Sequence, residues 1–568
     1  MKILGLNGWV TRGHDGGASL LIDGKLVSAV EEEKLIGFRH AYDTLPIESI
    51  NYVLGSNNLS LKDIDKIAIG WDYPYLYNLI GEHFISKEKL SKILFNTSEY
   101  ANKIEYVKHH DAHAASAFYP SKYKNAIVLV VDGQGEIMGT SMYIAKDYKI
   151  KQKILETPVS LGYFYSAITE HIGFNCGEEG KTMGLSSYGS PKYANFLKKL
   201  INIDENGNLN CIFEIKKTGK DEEDETIDKW HEFLDLIIPK RTGKINNITE
   251  EILPYADLAA SAQKVIGDII VNLVETVYKK YSISDVVIAG GVGLNCPTNS
   301  MVEKIPYINN VFVQPAANDG GISLGAALDV ASKYEEQIDI NMTAYLGPEY
   351  SDDLILTAIA KTDAEYIKMS NRSEQIAKLL KDNYIVANYY GKLEFGPRAL
   401  GNRSLLANPK DTEMLIRMNN LKGREIWRPL APIVLYDEQK KWFDYDKESL
   451  YMIKNCLVNF QSRDKIKAVT HVDNTSRIQS VTKESNLQLY EILSKFFELT
   501  NIPVLINTSF NIKGCPIVNN PYDALYSVKK MNLDYLAIGN YLVKVNTIKY
   551  DNIIDRLSEN TKVKLKVR

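Results

Sequence analysis

The chemistry of this chain is most legible at His109-His110-Asp111-Ala112-His113, where two imidazoles stand four residues apart at the head of a stretch, AASAFYPS, that reads as helix. That spacing puts His109 and His113 on one helical face, a turn apart. Further on, an apolar run, 126–131, delivers Asp132 into a glycine turn, Gly133-Gln134-Gly135. A second run, 310–314, ends the same way at Ala317-Asn318-Asp319-Gly320-Gly321. Two histidines on a helix face and two aspartates at strand ends offer nitrogen and oxygen donors without a thiolate, a set suited to a hard-to-borderline divalent cation. Residue types and spacing leave a second arrangement open, in which the histidines are solvated or act as caps and the aspartates only shape turns.

The elements that must position these residues are short buried strands feeding glycine loops. Residues 1–7 read as a strand that opens into a glycine-rich loop, 8–17, carrying Arg12, His14 and Asp15. Two apolar strands joined by Asp23-Gly24 follow, a strong hairpin signal, and Glu31-Glu32-Glu33-Lys34 closes them. A similar order returns at Ala126: strand, glycine turn at Asp132, then the segments 139–144 and 149–154 around a short turn. This pattern predicts an internal duplication. Two such units facing each other form a cleft, as in the actin-like and hexokinase-like ATPases, where glycine loops hold phosphates through backbone N–H groups. A third glycine stretch, Gly290-Gly291-Val292-Gly293-Leu294-Asn295, runs from strand into helix, where a loop can press against a nucleotide's sugar or base. The nucleotide-contact candidates of this half are thus Gly133, Gly135, Gly290, Gly291, Asn295, Asn318 and Gly320. Gly177-Glu178-Glu179-Gly180-Lys181-Thr182 is not a P-loop, since it lacks the four residues between its glycines and the preceding strand. Lys181 there reads as solvated, and the charged stretch 215–250 as a surface insertion.

Beyond about residue 335 the character changes, and 343–352 (TAYLGPEYSD) reads as a connection between a first domain, 1–342, and a second, 353–547, followed by a polar tail, 548–568, of helical tendency. In the second domain, basic residues fall in loops beside Gly, Pro and Asn: Arg398 and Arg403, then Lys422, Arg424 and Arg428, then Arg477, with Asn507-Thr508-Ser509 later. Arginines in ordered loops suit an oxyanion or phosphate pocket, because guanidinium forks bind phosphate bidentately. Arg424, next to Glu425, is the one expected to be taken up by a local ion pair.

The whole chain bounds these readings. Its 568 residues are too many for one core. With 67 Lys and Arg against 71 Asp and Glu, a formal net charge of -4, no field draws it to nucleic acid or to an anionic membrane. Five scattered cysteines without a CxxC pair indicate neither zinc ribbon nor disulfide framework and suit a reducing cytoplasm. No apolar run approaches the ~18 residues needed to span a bilayer, and the N-terminal stretch lacks the apolar segment of a signal peptide.

GHDGGASLLIDG with EEEK, HHDAHAASAFYPS, VDGQGE, GEEGKTMGLSSYG, AGGVGLN, PAANDGG, EFGPRALGNRSLLANP, RPLAPIVL, VTHVDNTSRIQSV and NTSFN occur in this order from end to end. Together they resemble the O-carbamoyltransferases of the NodU/CmcH family. The resemblance implies an α/β architecture: an N-terminal ASKHA domain (actin-like ATPase, a duplicated RNase H-like fold) and a C-terminal YrdC-like domain. It implies that the second domain forms carbamoyl-adenylate from carbamoyl phosphate and Mg-ATP, held by Arg398, Lys422, Arg428, Arg477, Asn507 and Ser509. The first would pass the carbamoyl group to a hydroxyl of a small-molecule or glycan acceptor, with a metal on His109, His113, Asp132 and Asp319 gripping the adenylate's phosphate. His14, in the first glycine loop, is the candidate general base for that hydroxyl, since an unshifted imidazole titrates near neutrality; a loop-orienting histidine is the alternative. Mg²⁺ prefers oxygen, so two histidines argue for Fe²⁺, Mn²⁺ or Zn²⁺ in that site. The acceptor is expected beside the cleft near the aromatic-rich loops 72–99, and a homodimer stays open.

Rival readings fit less well. HxxxH suggests a metalloprotease, but a zincin needs Glu after the first His, where His110 stands. The carbamoyl transfer of hydrogenase maturation would add an acylphosphatase-like domain and CxxC pairs. Threonylcarbamoyl-type tRNA modification shares the chemistry, but no basic stripe offers an RNA surface. A nucleotide-regulated ASKHA binding module without turnover would have no use for a separate arginine pocket.

Overall fold

A computed structural model describes residues 1–8, 13–205, 207–215 and 222–549 of the chain. Arg12, part of the charged insertion and most of the C-terminal tail lie outside the described residues. The chain divides into two α/β units: Met1–Ala29 with Asp43–Met342, and Val30–Tyr42 with the chain from Thr343 onward.

The first unit contains two five-stranded sheets. One uses β1 (Lys2–Asn7), β2 (Gly17–Ile22), β3 (Lys25–Glu31), β4 (Lys66–Ile69) and β5 (Ile104–Tyr106) in the order β3-β2-β1-β4-β5. The other uses β6 (Ala126–Val131), β7 (Thr140–Lys146) and β8 (Lys149–Thr157), then, past a small pair β9 (Ile201–Ile203) and β10 (Leu209–Cys211), β11 (Asp285–Ala289) and β12 (Asn310–Val313). Its order is β12-β11-β6-β7-β8. In each sheet the first strand pairs antiparallel with the second and parallel with the fourth, and the fifth adds in parallel outside the fourth. The repeat expected from sequence is therefore carried by topology rather than by letters. The central strand β6, all apolar, is buried at every position, as a strand covered on both faces must be. The edge strand β8 is punctuated by lysines that discourage pairing with another chain.

The helix His109–Ser121 follows β5, and the helix Ile322–Lys333 follows β12. They cross so closely that a Cβ on Gly325 would lie 1.8 Å from the carbonyl oxygen of Ala112. Glycine is needed there, and the close crossing brings the head of the histidine helix to the Asp319 turn. Among the described residues no helix is long and apolar enough to cross a membrane.

The second unit is built on one eight-stranded sheet, β13 (Tyr366–Lys368), β14 (Val386–Tyr389), β15 (Arg403–Ala407), β16 (Ala431–Leu435), β19 (Gln479–Val481), β20 (Val504–Ser509), β21 (Tyr535–Ile538) and β22 (Tyr541–Lys544), with a separate small pair β17 (Cys456–Leu457) and β18 (Thr475–Ser476). The strand order is β13-β22-β21-β14-β15-β20-β16-β19. Its core gathers Ile376, Leu380, Leu405, Ile433, Phe496 and Leu536, among others, all fully buried.

Two boundaries differ from the sequence reading. The stretch 343–352 is no free connection: Ala344 and Leu346 are buried, Gly347 N–H donates to the Leu393 carbonyl at 3.0 Å, and Leu393 N–H to that of Pro348 at 2.9 Å. Its apolar side chains and backbone groups are satisfied by pairing within the second unit. Residues 30–42, expected in the first domain, also belong to the second unit. Lys34 is one tie to that unit: its buried ammonium is held by Glu31 and by the carbonyls of Glu394 and Gly396.

Candidate active site

Three parallel strand ends and one helix head build the first site. Val131 of β6 leads to Asp132, Ala289 of β11 to Gly290-Gly291, and β12 to the 316–321 turn, with Gly290 N–H bonded to the Ala317 carbonyl at 2.8 Å. Such carboxyl ends of parallel strands are where open α/β sheets place ligands. The histidine helix has no side-chain cap of its own at Lys108. Glu136, buried, supplies one from the neighbouring turn: its Oε1 accepts the N–H groups of His109 and Asp72, each at 2.9 Å. A carboxylate at a helix N-terminus satisfies an otherwise orphaned donor and opposes the helix dipole. Sequence reasoning quoted Glu136 within VDGQGE without giving it a role.

His109 and His113 meet Asp132 and Asp319 in one buried cluster. Each Nε2 lies 3.2 Å from Asp132 Oδ2, and the distances to Asp319 Oδ1 are 3.4 and 3.5 Å. All four donor atoms fall within 4.8 Å of one another. A first-row cation about 2.1 Å from each donor would space neighbouring donors by roughly 3.0 to 3.4 Å, so these residues fit a divalent ion. Burial disfavours a charged His109, but Asp319 and Asp132 outweigh it and push the imidazole up to about 10; His113 moves up for the same reasons, led by Asp132. The carboxylates respond in kind: despite burial, Asp132 is held well below the usual range by His113 and His109, and Asp319 down to about 2, chiefly by His109. Nδ1 of each histidine has no hydrogen-bond partner among the described residues. The rings are held by packing instead, His109 against Trp71 at 4.0 Å and edge-on to His113 at 4.7 Å. His110 points elsewhere, its Nδ1 2.7 Å from Ser141 Oγ, and burial keeps it neutral.

His14 joins this cluster through its loop. Its Nδ1 is 3.3 Å from Asp15 Oδ2, which accepts from Asn318 Nδ2 at 3.0 Å, while Asn7 Nδ2 bridges the carbonyls of Asp15 and Asp319 at 3.1 and 2.9 Å. Burial opposes protonation, yet Asp15, Asp319 and Asp132 push His14 up to about 10. Its side chain is 47% exposed, so water screens much of that push.

Three N–H donors of the glycine loops have partners within the protein. Gly135 N–H is bonded to the Met138 carbonyl, Gly290 N–H to Ala317, and Gly291 N–H to Asp132 Oδ1 at 2.9 Å, so these three donors are spent within the protein. Gly290 is needed for shape: its φ is 90°, and a Cβ there would sit 2.2 Å from the Val131 carbonyl oxygen. Gly133 and Gly135 leave room for the rings of Tyr163 and His110 respectively, and Gly320 is buried in the Asp319–Gly321 turn. Asn295 caps the helix Cys296–Glu303 through Thr298 N–H and is locked to Gln263. Asn318 is turned to Asp15. Lys181 pairs with Glu178 at 2.7 Å instead of standing in water.

The second unit gathers the basic loops around the end of β20. Lys422, buried, donates from Nζ to the Ser509 carbonyl, to Asn511 Oδ1 at 2.7 Å, and to Asn511 O and Ser509 Oγ at 3.2 Å. Burial first, then the guanidiniums of Arg424 and Arg428, hold its ammonium well below the usual lysine range. Arg424 is pushed down to about 9 by burial and then by Arg428 and Arg477, with Arg398 adding to the same effect. The ion pair expected of Arg424 is made by Arg428 instead, 3.8 Å from Glu425; Arg424 reaches Thr508 Oγ1 at 3.3 Å and belongs to the cation cluster. Asn507 Nδ2 donates to the Ala399 carbonyl at 3.0 Å and to Gln479 Oε1 at 2.9 Å, fixing the loop of Arg398. The predicted pocket residues Arg398, Lys422, Arg428, Arg477, Asn507 and Ser509 are thus brought together, with Arg424, Asn511 and Gln479 beside them. Five cations crowded this way suit a polyanion.

Models of two protein families match the sequence: one described as Carbamoyltransferase N-terminus over residues 2–328 and one described as Carbamoyltransferase C-terminus over 377–545. An uncharacterized protein of Synechocystis is 32% identical, over 95% of this chain and 96% of that protein. The nodulation protein NolNO of Sinorhizobium fredii is 30% identical over 94% of this chain and 79% of its own length. A 3'-hydroxymethylcephem-O-carbamoyltransferase of Amycolatopsis lactamdurans is 33% identical over 45% of this chain and 48% of its own.

Proposed function

The chain belongs to the carbamoyltransferase family, and from that premise we propose that this enzyme is an ATP-dependent O-carbamoyltransferase working in two steps. In the first, water cleaves carbamoyl phosphate to phosphate and carbamate. A carbamate oxygen then attacks the α-phosphorus of ATP, breaking the bond to the β-phosphate and releasing pyrophosphate. The observation that carries this step is the cluster of Lys422, Arg424, Arg428, Arg398 and Arg477 around β20, which draws on Glu425 as counter-charge. Two polyanions must be brought together there, and fixed cations supply the positioning and charge stabilisation on which phosphoryl chemistry depends. On this reading the second unit is a YrdC-like adenylate-forming domain.

In the second step the acceptor hydroxyl attacks the carbamoyl carbon and AMP leaves. We assign it to the first unit, read as an ASKHA-type domain because its two sheets share one topology. His109, His113, Asp132 and Asp319 would hold Fe²⁺, Mn²⁺ or Zn²⁺, and such an ion supplies charge stabilisation to the departing phosphate. His14 takes the hydroxyl proton; a cation held by Asp132 and Asp319 would offset their share of the charge that favours its protonated form. Asp15, fixed by Asn318, orients the ring. Trp71, packed at a tilt against His109, offers an acceptor ring an apolar face.

Incubation with ATP and carbamoyl phosphate, in the presence of Fe²⁺, Mn²⁺, Zn²⁺ or Mg²⁺ in turn, tests the first step. Pyrophosphate should form only when both substrates are present. No release with any of these ions defeats the reading.

A further inference from the structure

One buried ion pair in the second unit has no part in the reaction above. Lys34 and Glu31 are 1% and 5% exposed, and Lys34 Nζ donates to both Glu31 carboxylate oxygens at 2.9 Å. The same ammonium donates to the carbonyls of Glu394 at 2.7 Å and Gly396 at 2.8 Å, while Glu31 Oε1 accepts Gly396 N–H at 2.5 Å. An ammonium with carboxylate and carbonyl partners on several sides is satisfied, and its geometry is correspondingly rigid.

What the pair grips is the stem of the loop that carries Arg398. Inside the loop, Glu394 Oε1 accepts the N–H groups of Leu400, Asn402 and Arg403 at 2.9, 2.9 and 3.0 Å. On its far side, Asn507 and Gln479 hold the carbonyls of Ala399 and Leu400. Residues 394–403 are therefore bolted at three places, and the Lys34–Glu31 bolt comes from the N-terminal part of the chain.

We infer that Lys34 and Glu31 are positioning residues for the anion pocket: they fix the Glu394–Gly396 stem so that Arg398 meets its substrate without reorganising. This rests on the carbamoyl phosphate reading of that pocket. A loop displaced by about 1 Å can forfeit a large part of such binding, whereas the pair's own contribution to stability is small, because burying two charges costs nearly what their attraction returns.

That contrast supplies the test. Lys34→Met alone strands a buried carboxylate and should lower the melting temperature. The pair Glu31→Leu with Lys34→Met removes both charges at similar volume and should recover part of that loss, the rest reflecting the Glu394 and Gly396 carbonyls and the Gly396 N–H left without these partners. If the ion pair served only folding, the double variant would recover its KM for carbamoyl phosphate as well. We expect instead that KM in the pyrophosphate assay stays raised by at least about tenfold in the double variant. A double variant that melts cooperatively with the parent's circular-dichroism spectrum and has a KM within about twofold of the parent's overturns the proposal. Glu31→Gln, which keeps the ammonium and an acceptor for Gly396, is the milder second variant; it should raise KM a few-fold, and an unchanged KM there counts against the proposal too. A parent chain that released no pyrophosphate would instead overturn the pocket's reading, and the inference with it.

Discussion

Lys422→Met tests the anion pocket most quantitatively. The substitution removes a buried ammonium that donates to the Ser509 and Asn511 carbonyls and to Asn511 Oδ1. Each buried acceptor left unmet costs about 1 to 3 kcal/mol, but the protein is also relieved of an ammonium that its surroundings hold in an unfavourable state. The two effects offset, so the melting temperature should fall by no more than a few degrees. Anion binding has no such compensation: a charge-assisted bond is worth about 1.5 to 3 kcal/mol, or roughly ten- to a hundredfold in affinity. Calorimetric titration with inorganic pyrophosphate and KM for carbamoyl phosphate should both show that loss. Proton linkage gives the argument a second edge. Because burial, Arg424 and Arg428 depress the folded-state pKa of Lys422, the folded protein binds fewer protons here than the unfolded chain does between the depressed value and the ordinary lysine value. Stability should therefore rise with pH across that window. Anion affinity should move the other way, falling as pH rises through the folded value, with proton uptake on binding that Lys422→Met abolishes. A variant with parental affinity and parental proton uptake would refute the placement of Lys422 in the pocket.

His113→Ala deletes one of four converging donors and should weaken Fe²⁺, Mn²⁺ or Zn²⁺ binding at least about a hundredfold, read by elemental analysis after dialysis, while pyrophosphate release stays at the parental rate. His14→Asn should leave pyrophosphate release intact and slow carbamoyl transfer by about a hundred- to ten-thousandfold; an unchanged product yield removes His14 from the mechanism. Gly290→Ala forces a Cβ within 2.2 Å of the Val131 carbonyl at a φ of 90°. It should cost about 2 to 4 kcal/mol in a denaturant melt, and a neutral substitution would show that the Asp132 turn is softer than described.

Sequence reasoning reached the His/Asp cluster because its cues are local. Histidines at helical spacing and aspartates at the ends of apolar runs need only the right elements to converge, and the repeated sheet order makes them do so. It could not tell which N–H groups of the glycine loops are open to a ligand, because a glycine loop looks alike whether its donors face a ligand or the protein. Three-dimensional pairing decides that, and here Met138, Ala317 and Asp132 take the donors of Gly135, Gly290 and Gly291. Arg424 differs from its expectation for a related reason: its neighbour in sequence, Glu425, faces Arg428, three residues on. The excursion of residues 30–42 had no cue at all, since its partners, Glu394 and Gly396, lie 360 and 362 residues from Lys34. Burial of 343–352 was masked by Gly and Pro, which mark turns inside a packed unit as readily as connections between units.

The central claim is that an adenylate is made at the cations of the second unit and consumed at the His14 and metal-ligand loops of the first. Mass spectrometry of a rapidly quenched reaction, with His14→Asn protein, ATP and isotopically labelled carbamoyl phosphate, tests it most directly. The account predicts labelled carbamoyl-adenylate and pyrophosphate formed in step with each other. Pyrophosphate without labelled adenylate, or no pyrophosphate at all, would contradict it.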